Sequence, residues 1–275
     1  MLDSVVVLST RMRGEGRPVV VLPWFGFDHA VMEAAFEPVF AGTTGWRRIY
    51  VDLPGTGDSR PVEPRSDAVL DAVEKTVRSV AGTAPFLLAG CSYGGYLAAG
   101  LARRDPAGIS GLLLVCPGIK IHPDQRNLSR LVPPSPQPGW LEEIPAELQE
   151  HLAHAVGNQT RAVAIRLARA VGLSGPTDWS YLEQLRSGGY ELSDEASPVV
   201  VDANVTILAG TQDCIVGHLD QFDVLARYPH GSFVALGDAG HYLPFEQPEV
   251  FKVLTLSWLT RDQSALSPDR SPGLI

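Results

Sequence analysis

Paired cysteines, an excess of basic residues and long apolar runs are all missing from this sequence. Its three cysteines show no Cys-x-x-Cys spacing, and an odd, unpaired set is typical of a reducing compartment. Lysine and arginine total 22 against 31 aspartates and glutamates, a formal net charge of −9, so the chain lacks the basic surface that binds nucleic-acid phosphates. No apolar run reaches the roughly 18 residues of a membrane helix. We therefore expect neither a nucleic-acid partner nor a membrane partner.

Signals for export, for nucleotide cofactors and for metals are missing as well. The first residues, MLDSVVVLSTRMRGEG, contain neither a basic n-region nor a long apolar segment, which predicts a cytoplasmic protein. The stretch GTGDSR has Arg60 in place of the third glycine of a dinucleotide fingerprint, and no G-x-x-x-x-G-K occurs. His151 and His154 lie three residues apart in a helical pattern without a clear third ligand. The sequence therefore predicts no cofactor and no metal.

Short apolar runs alternate with helical patterns along most of the chain. Nearly continuous apolar runs are typical of strands buried on both faces, as in parallel sheets covered by helices. The alternation predicts an α/β fold with an open, mostly parallel sheet. The runs are Val19–Leu22, Ile49–Val51, Phe86–Ala89, Leu112–Val115, Val205–Ala209 and Phe233–Leu236. The helical patterns are Ala30–Phe40, Asp67–Val80 with Ser66 as N-cap, Tyr93–Arg104, His218–Arg227 and Pro244–Leu259.

One segment interrupts this alternation. From Ile119 to Pro198 a proline-rich start is followed by helical patterns such as PAELQEHLAHAV and RAVAIRLARAV, with no convincing strand. Because the strand pattern resumes directly afterwards, we interpret 119–198 as a helical cap inserted into a core formed by 1–118 and 199–262. The polar, proline-containing segment 263–275 is typical of a disordered tail.

The stretch AGCSYGGYLAAG carries the strongest chemical signal. Within it, Gly90-Cys91-Ser92-Tyr93-Gly94 fits the G-x-S-x-G pattern of a nucleophile elbow. In such a turn the serine has a strained backbone conformation, and side chains two positions away on either side would collide. An apolar run precedes the motif and small helix formers follow it, which is the strand–turn–helix context that the pattern requires. Ser92 is therefore the candidate nucleophile.

A serine hydroxyl needs a base that takes its proton. His241, in LGDAGHYLPFEQP, follows the last apolar run, so we expect it at the same carboxyl edge of the sheet as Ser92. Asp213, in VTILAGTQDCIVG, follows the preceding run and is the candidate acceptor that orients the imidazole. The order Ser92, Asp213, His241 matches the order expected for this motif class. The sequence therefore predicts a catalytic triad of these three residues.

Two backbone N–H groups are expected to bind the oxyanion of the tetrahedral intermediate. Tyr93 directly follows the nucleophile and supplies the first candidate. The second candidate is Phe25, in the loop PWFGF after the first apolar run, because Pro23 has no N–H and the donor usually lies two residues further on.

With these motifs the chain resembles the α/β-hydrolase superfamily over nearly all of its length outside 119–198 and the tail. YVDLPGTGDS (Tyr50–Ser59) is similar to that family's D-x-P-G-x-G-x-S loop, and the segment from ILAGTQD to FEQPEVF is similar to the acid-to-histidine half of capped members. The resemblance implies an eight-stranded, mostly parallel sheet flanked by helices, with a helical cap over the active site. Where family members usually carry His-Gly, this chain has Pro23-Trp24, which suggests a differently shaped acyl pocket.

We therefore predict a serine hydrolase that acts through an acyl-enzyme on a small hydrophobic carboxylic ester, as a monomer or homodimer. Trp24, Trp140 and Trp179 are candidate substrate contacts, because aromatic pocket walls favour apolar ligands. The fold does not identify the bond cleaved, so carbon–carbon hydrolysis of a diketone-type substrate and peptide hydrolysis stay open. A ligand-binding or non-hydrolytic biosynthetic protein on the same scaffold is the alternative from a different class.

Overall fold

The apolar runs of the sequence form the strands of one sheet. A computed structural model describes residues 7–128 and 135–265. The strands are β1 Thr10–Arg13, β2 Arg17–Leu22, β3 Trp46–Val51, β4 Phe86–Cys91, β5 Ile109–Val115, β6 Asn204–Gly210 and β7 Ser232–Leu236. Their order is β1-β3-β2-β4-β5-β6-β7, and every neighbouring pair is parallel except β1 with β3. Each predicted run lies within one of the strands β2 to β7, which confirms the α/β class with a mostly parallel sheet.

The described residues form seven strands, whereas the family resemblance implies eight. Immediately before β1, the N–H of Leu8 donates to Thr76 Oγ1 at 2.9 Å and the N–H of Ser9 donates to Ser59 Oγ at 2.8 Å. The Ser9 carbonyl also accepts the N–H of Asp52 at 3.0 Å, so Leu8 and Ser9 lead into β1 and do not form a further strand. The predicted count is corrected to seven for the part of the chain that the structure describes.

The helical patterns also have counterparts in the structure. The helices are α1 His29–Phe40, α2 Ser66–Ala81, α3 Tyr93–Arg104, α4 Ala146–Ala155, α5 Arg161–Val171, α6 Trp179–Gly188, α7 Leu219–Asp223, α8 Leu243–Glu246 and α9 Pro248–Ala265. Short 3-10 turns cover Pro106–Gly108, Pro123–Gln125 and Val224–Arg227. None of these helices, within the ranges that the structure describes, is both long and apolar enough to cross a bilayer.

Two helix boundaries differ from the prediction for local reasons. Ser66 is the first residue of α2 rather than its N-cap, because its hydroxyl instead donates to the Tyr190 carbonyl at 2.6 Å and contacts the Tyr93 hydroxyl at 2.8 Å. The predicted helix Pro244–Leu259 is divided at Gln247, which has φ −130° and ψ 58°. The residue before a proline avoids helical geometry, and Pro248 follows directly.

The inner strands β2 to β6 are buried on both faces because helices cover each side of the sheet. On β2, Val20 and Leu22 pack in the cluster that contains the apolar side chains of α2 and α3. Val19 and Val21, which point to the opposite face, pack in the cluster that contains those of α1 and α9. This two-sided burial leaves only the ends of the parallel strands available for a site.

Helices α4 to α6 lie between β5 and β6, in the segment that we interpret as an insertion. The described residues of 119–198 form no strand, only an isolated bridge between Thr177 and Thr56. The insert, as we call 119–198, contacts loops at the carboxyl edge of the sheet: Asp178 N–H donates to the Gly55 carbonyl at 2.8 Å, and Thr177 Oγ1 donates to the Gly26 carbonyl at 3.0 Å. Helix α9 continues to Ala265, past the predicted start of the tail at 263, and 266–275 lie outside the described residues.

Packing of α1 against α9 offers a test of the core. Phe36 and Phe251 are 0% and 1% exposed, and their rings meet edge to face with centroids 5.1 Å apart. We expect Phe251→Ala to lower the free energy of unfolding by about 3–5 kcal/mol, because it leaves a cavity that the neighbours fill only partly. Urea denaturation measures the change. Val253→Ala on the same helix, at a side chain 65% exposed, serves as control, and an equal loss in both variants would contradict the packing described.

Candidate active site

Ser92 joins β4 to α3 in a backbone conformation that few non-glycine residues adopt. Its φ is +52° and its ψ is −116°, outside the regions that L-residues favour. Two hydrogen bonds hold the turn: Ser92 N–H donates to the Val115 carbonyl at 3.0 Å, and the Ser92 carbonyl accepts from Gly118 N–H at 3.1 Å. The turn is therefore fixed by β5 and by the residues that follow it.

The two motif glycines allow this turn because the backbone passes too close for a side chain. A Cβ at Gly90 would lie 2.3 Å from the Gly94 carbonyl oxygen, and a Cβ at Gly94 would lie 2.4 Å from the Pro23 carbonyl oxygen. Both distances are far below van der Waals contact, so the steric reason inferred from the motif holds in the structure.

The structure brings Ser92, Asp213 and His241 together, although they come from three different strand ends. His241 Nε2 lies 2.8 Å from Ser92 Oγ, and His241 Nδ1 lies 2.8 Å from Asp213 Oδ2. All three are buried: Ser92 is 8% exposed, Asp213 is 0% exposed and His241 is 3% exposed. A proton on Nδ1, held by the carboxylate, leaves the Nε2 lone pair facing the serine hydroxyl, which is the arrangement that general-base catalysis needs.

Asp213 is held in place by its own loop. Its second oxygen, Oδ1, accepts the N–H groups of Ile215 at 2.8 Å and Val216 at 3.0 Å. Because backbone donors occupy Oδ1, the carboxylate presents Oδ2 to the imidazole in one orientation. Such support of the acid is what orients a catalytic histidine.

The two predicted oxyanion donors are available in the structure. Neither Phe25 N–H nor Tyr93 N–H donates a hydrogen bond within the described ranges. The Phe25 ring also packs edge to face on the Tyr93 ring, with centroids 5.4 Å apart, so the loop after β2 and the start of α3 support each other. Their role in binding an oxyanion remains a prediction.

The three tryptophans predicted as substrate contacts lie in different environments. Trp24 is 1% exposed and Trp140 is 5% exposed, and both pack in the cluster on the α1 and α9 side. Packing encloses both of these rings, and their role as substrate contacts stays a prediction. Trp179 is 59% exposed and stands against Gly26, where a Cβ would meet its ring at 2.7 Å.

Trp24, which replaces the usual glycine of the family, lies beneath the histidine loop. Its Nε1 donates to the His241 carbonyl at 3.3 Å, and its ring packs on Tyr242 and Phe245 with centroids 5.6 Å and 6.1 Å away. The sequence alone suggested an effect on the acyl pocket. In the structure the tryptophan instead supports the backbone that carries the candidate base.

Glu246 is a site residue that the sequence analysis missed. It is 2% exposed, and its Oε2 accepts the N–H groups of Gly157, Asn158 and Gly240, each at 2.8 Å. Its Oε1 accepts the N–H of Tyr242 at 3.0 Å. One carboxylate therefore joins the residues on both sides of His241 to the insert. The available signal was a single charge inside the otherwise apolar stretch YLPFE.

Glu246→Gln tests this carboxylate through the pH dependence of stability. Burial raises the pKa of Glu246 to about 7 from its ordinary value near 4.5, against the opposing effect of the four N–H donors. The folded protein then holds this proton more tightly than the unfolded chain. The contribution of Glu246 to the free energy of unfolding therefore decreases as the pH rises from about 4.5 to about 7, and is level above that.

Chemical denaturation of wild type and Glu246→Gln from pH 4.5 to 8 measures this contribution. We expect the stability difference between the two proteins to decrease across that range as the pH rises. Glu249→Gln, at an exposed carboxylate in the first turn of α9, is the matched control. A wild-type advantage over Glu246→Gln that does not change with pH would contradict the assignment.

Comparisons with known proteins agree with this architecture. The model of the "Alpha/beta hydrolase family" matches residues 19–252. An alpha/beta superfamily hydrolase from Oenococcus oeni PSU-1 has a TM-score of 0.84 at 24% identity and covers 96% of this chain and 100% of its own. A thermophilic esterase from Thermogutta terrifontis has a TM-score of 0.69 at 23% identity and covers 93% of each chain. At these identities the two structures show a shared fold.

Curated relatives match over part of their length. A pimeloyl-(acyl-carrier protein) methyl ester esterase of Shewanella woodyi is 33% identical over 102 residues, 37% of this chain and 36% of the relative. The protein of the same name from Shewanella sp. strain MR-7 is 28% identical over 169 residues, 60% of this chain and 61% of the relative. The chain thus spans between 36% and 61% of these two relatives. Since the family model covers 19–252, the chain belongs to the alpha/beta hydrolase family.

Proposed function

We propose that this protein is a serine hydrolase in which Ser92, His241 and Asp213 form the catalytic triad. The observation that carries the proposal is the continuous chain of contacts from Asp213 Oδ2 through the imidazole to Ser92 Oγ, with 2.8 Å at each step. Burial of all three residues strengthens these interactions relative to water. Membership of a hydrolase family supports the same reaction class.

The reaction follows from the geometry in two halves. Ser92 Oγ attacks the substrate carbonyl while its proton passes to His241 Nε2, and the N–H groups of Phe25 and Tyr93 bind the oxyanion. The imidazolium, stabilised by Asp213, then protonates the leaving alcohol, and the acyl group stays on Ser92. A water then gives a proton to His241 Nε2 while its oxygen attacks the acyl carbon. The bond from that carbon to Ser92 Oγ breaks, the acid leaves, and His241 returns the proton to Ser92 Oγ. No step requires a cofactor.

A small hydrophobic carboxylic ester is the substrate class that the surroundings of Ser92 favour. Phe25 is half-buried in the loop after β2, and its ring packs edge to face on that of Tyr93, the residue after Ser92. A partly exposed aromatic ring close to the nucleophile favours an apolar group in the substrate. Two of the similar proteins are named as esterases that act on a methyl ester, which supports an ester as the bond cleaved.

The insert serves as a cap in this proposal. Its Ala155 carbonyl accepts the N–H of His241 at 2.8 Å, so the segment lies directly against the candidate base. With Ser92 only 8% exposed, the insert limits the access of water to the acyl-enzyme. The partner is a small molecule, and the cytoplasmic location remains a prediction from the sequence.

Replacement of the triad residues tests the proposal. We expect Ser92→Ala to lower kcat/KM for p-nitrophenyl butyrate by about 10⁴-fold or more, and Asp213→Asn by a similar factor, because residues that act as a unit lose most of their effect together. Ser187→Ala is the control, because this exposed serine of α6 donates its hydroxyl to the Gln184 carbonyl of its own helix at 3.2 Å.

Labelling with a fluorophosphonate probe, followed by peptide mapping, tests the nucleophile independently of the substrate. We expect one adduct on Ser92 in wild type and none in His241→Ala. Esters, diketones and peptide amides tested in parallel identify the bond. A folded wild-type protein that neither reacts with the probe nor hydrolyses any of them would overturn the proposal in favour of a ligand-binding protein.

A further inference from the structure

A groove of about 200 Å³ lies where the insert meets the core. Helix α5 of the insert and helices α1 and α9 of the core form its walls, and Pro244 and Phe245 of α8 also line it. It is on the side of the sheet that α1 and α9 cover. Ser92, Asp213 and His241 lie outside it, so the groove is separate from the candidate active site.

Most of the groove surface is apolar. Ala34 and Pro38 of α1, Ala170 of α5 and Pro248 of α9 line it, and Leu173, just after α5, is 68% exposed beside them. An apolar cavity of about 150 Å³ can bind benzene. The groove is therefore large enough for an apolar group of that size or for a short alkyl chain.

The charged side chains that line the groove are all basic: Arg166, Arg169 and Lys252. Arg166 and Arg169 lie three residues apart on α5 and so share one face of that helix, whereas Lys252 belongs to α9. This local positive charge contrasts with the formal net charge of −9 for the whole chain. The groove thus combines an apolar surface with positive charge from both the insert and the core.

Arg166 is held at the groove by a backbone contact. Its Nε donates to the Phe245 carbonyl at 2.8 Å, and Phe245 directly precedes Glu246. A guanidinium offers five N–H groups, so this bond leaves the terminal N–H groups of Arg166 for a ligand. Their planar arrangement matches the two oxygens of a carboxylate.

The carboxylates of α1 are paired with other arginines. Glu33 Oε1 accepts from Arg13 Nε at 2.9 Å, and Glu37 Oε2 accepts from Arg48 Nη2 at 2.7 Å. Within residues 7–128 and 135–261, none of the three basic side chains of the groove forms an ion pair. An anionic group is therefore the complement of the charge that lines the groove.

We propose that this groove binds a free, ionised carboxylic acid with an unbranched apolar chain. The carboxylate would lie between the two arginines of α5 and Lys252, and the chain would lie along the apolar residues of α1 and α9. A ligand placed in this way contacts the insert and the core at once, so its binding holds them together. The proposal does not rest on the candidate triad, although such an acid belongs to the product class of the proposed ester hydrolysis.

Titration calorimetry of the full chain with sodium octanoate tests the proposal. We expect acetate, which lacks the chain, to bind at least about tenfold more weakly than octanoate, and 1-octanol, which lacks the charge, to bind about fivefold more weakly. The double variant Arg169→Gln, Lys252→Gln should raise the Kd of octanoate by about fivefold or more. The exchange variant Arg169→Lys, Lys252→Arg keeps both charges and should retain most of the affinity.

Lys75→Gln is the matched control, because Lys75 is an exposed lysine of α2, which packs on the opposite face of the sheet. It should leave the Kd of octanoate unchanged. A double variant that binds octanoate as tightly as wild type, or a wild type that binds 1-octanol as tightly as octanoate, would overturn the inference.

Two other occupants of the groove are outcomes of the same test. Binding of phosphatidylglycerol vesicles without binding of octanoate would assign the groove to a lipid surface. Self-association in sedimentation velocity that is lost in Leu173→Ser, again without binding of octanoate, would assign it to a second copy of the chain. Both results would overturn the inference and leave the proposed hydrolase activity untouched, since labelling of Ser92 tests that activity separately.

Discussion

The strained turn at Ser92 is the constraint on which the rest of the site depends. A serine with φ +52° persists only where the surrounding structure outweighs the cost of the conformation, about 1–3 kcal/mol. Here β5 and the loop after β2 both close on the turn, and Gly90 and Gly94 leave the space that this closeness needs. The hydroxyl therefore lies at the carboxyl edge of the sheet, where the loops that carry Asp213 and His241 also begin.

The candidate base and acid reach the serine because parallel strands β6 and β7 end at the same edge. Each of their loops is then secured by buried hydrogen bonds: Asp213 by the N–H groups that follow it, and the His241 loop by Glu246 and Trp24. Precise placement of such groups is worth more to catalysis than their mere presence. The positions of the candidate triad residues are therefore set by the sheet together with the buried side chains of Glu246 and Trp24.

Features set by local pattern could be predicted from the sequence, and features set by distant contacts could not. Ser92, Asp213 and His241 could be proposed together because each lies in the segment that follows the carboxyl end of a predicted strand. Glu246 was not, because three of its four donors come from residues whose proximity depends on how the insert packs and how the loop turns. The contact of Trp24 with the histidine loop was not predictable either, because a strand-end position does not reveal which way a loop side chain points. Ser66 was predicted to be an N-cap because its hydrogen-bond partner, the Tyr190 carbonyl, is distant in the sequence and cannot be inferred from the local pattern.

The shared carboxylate of Glu246 also restricts how the insert can move. Hydrogen bonds to Glu246 and from His241 N–H to the Ala155 carbonyl join this end of the insert, at and just after the end of α4, to the histidine loop. Movement of this end away from the core would leave the buried Glu246 carboxylate without these donors and would displace the candidate base. The end near α6 is joined to the core as well: the Tyr190 carbonyl accepts the hydroxyl of Ser66 at 2.6 Å, and the N–H of Leu192 donates to the Tyr96 hydroxyl at 2.7 Å. Any movement that opens the insert at either end therefore breaks buried hydrogen bonds, and an opening at the α4 end also displaces the loop of His241.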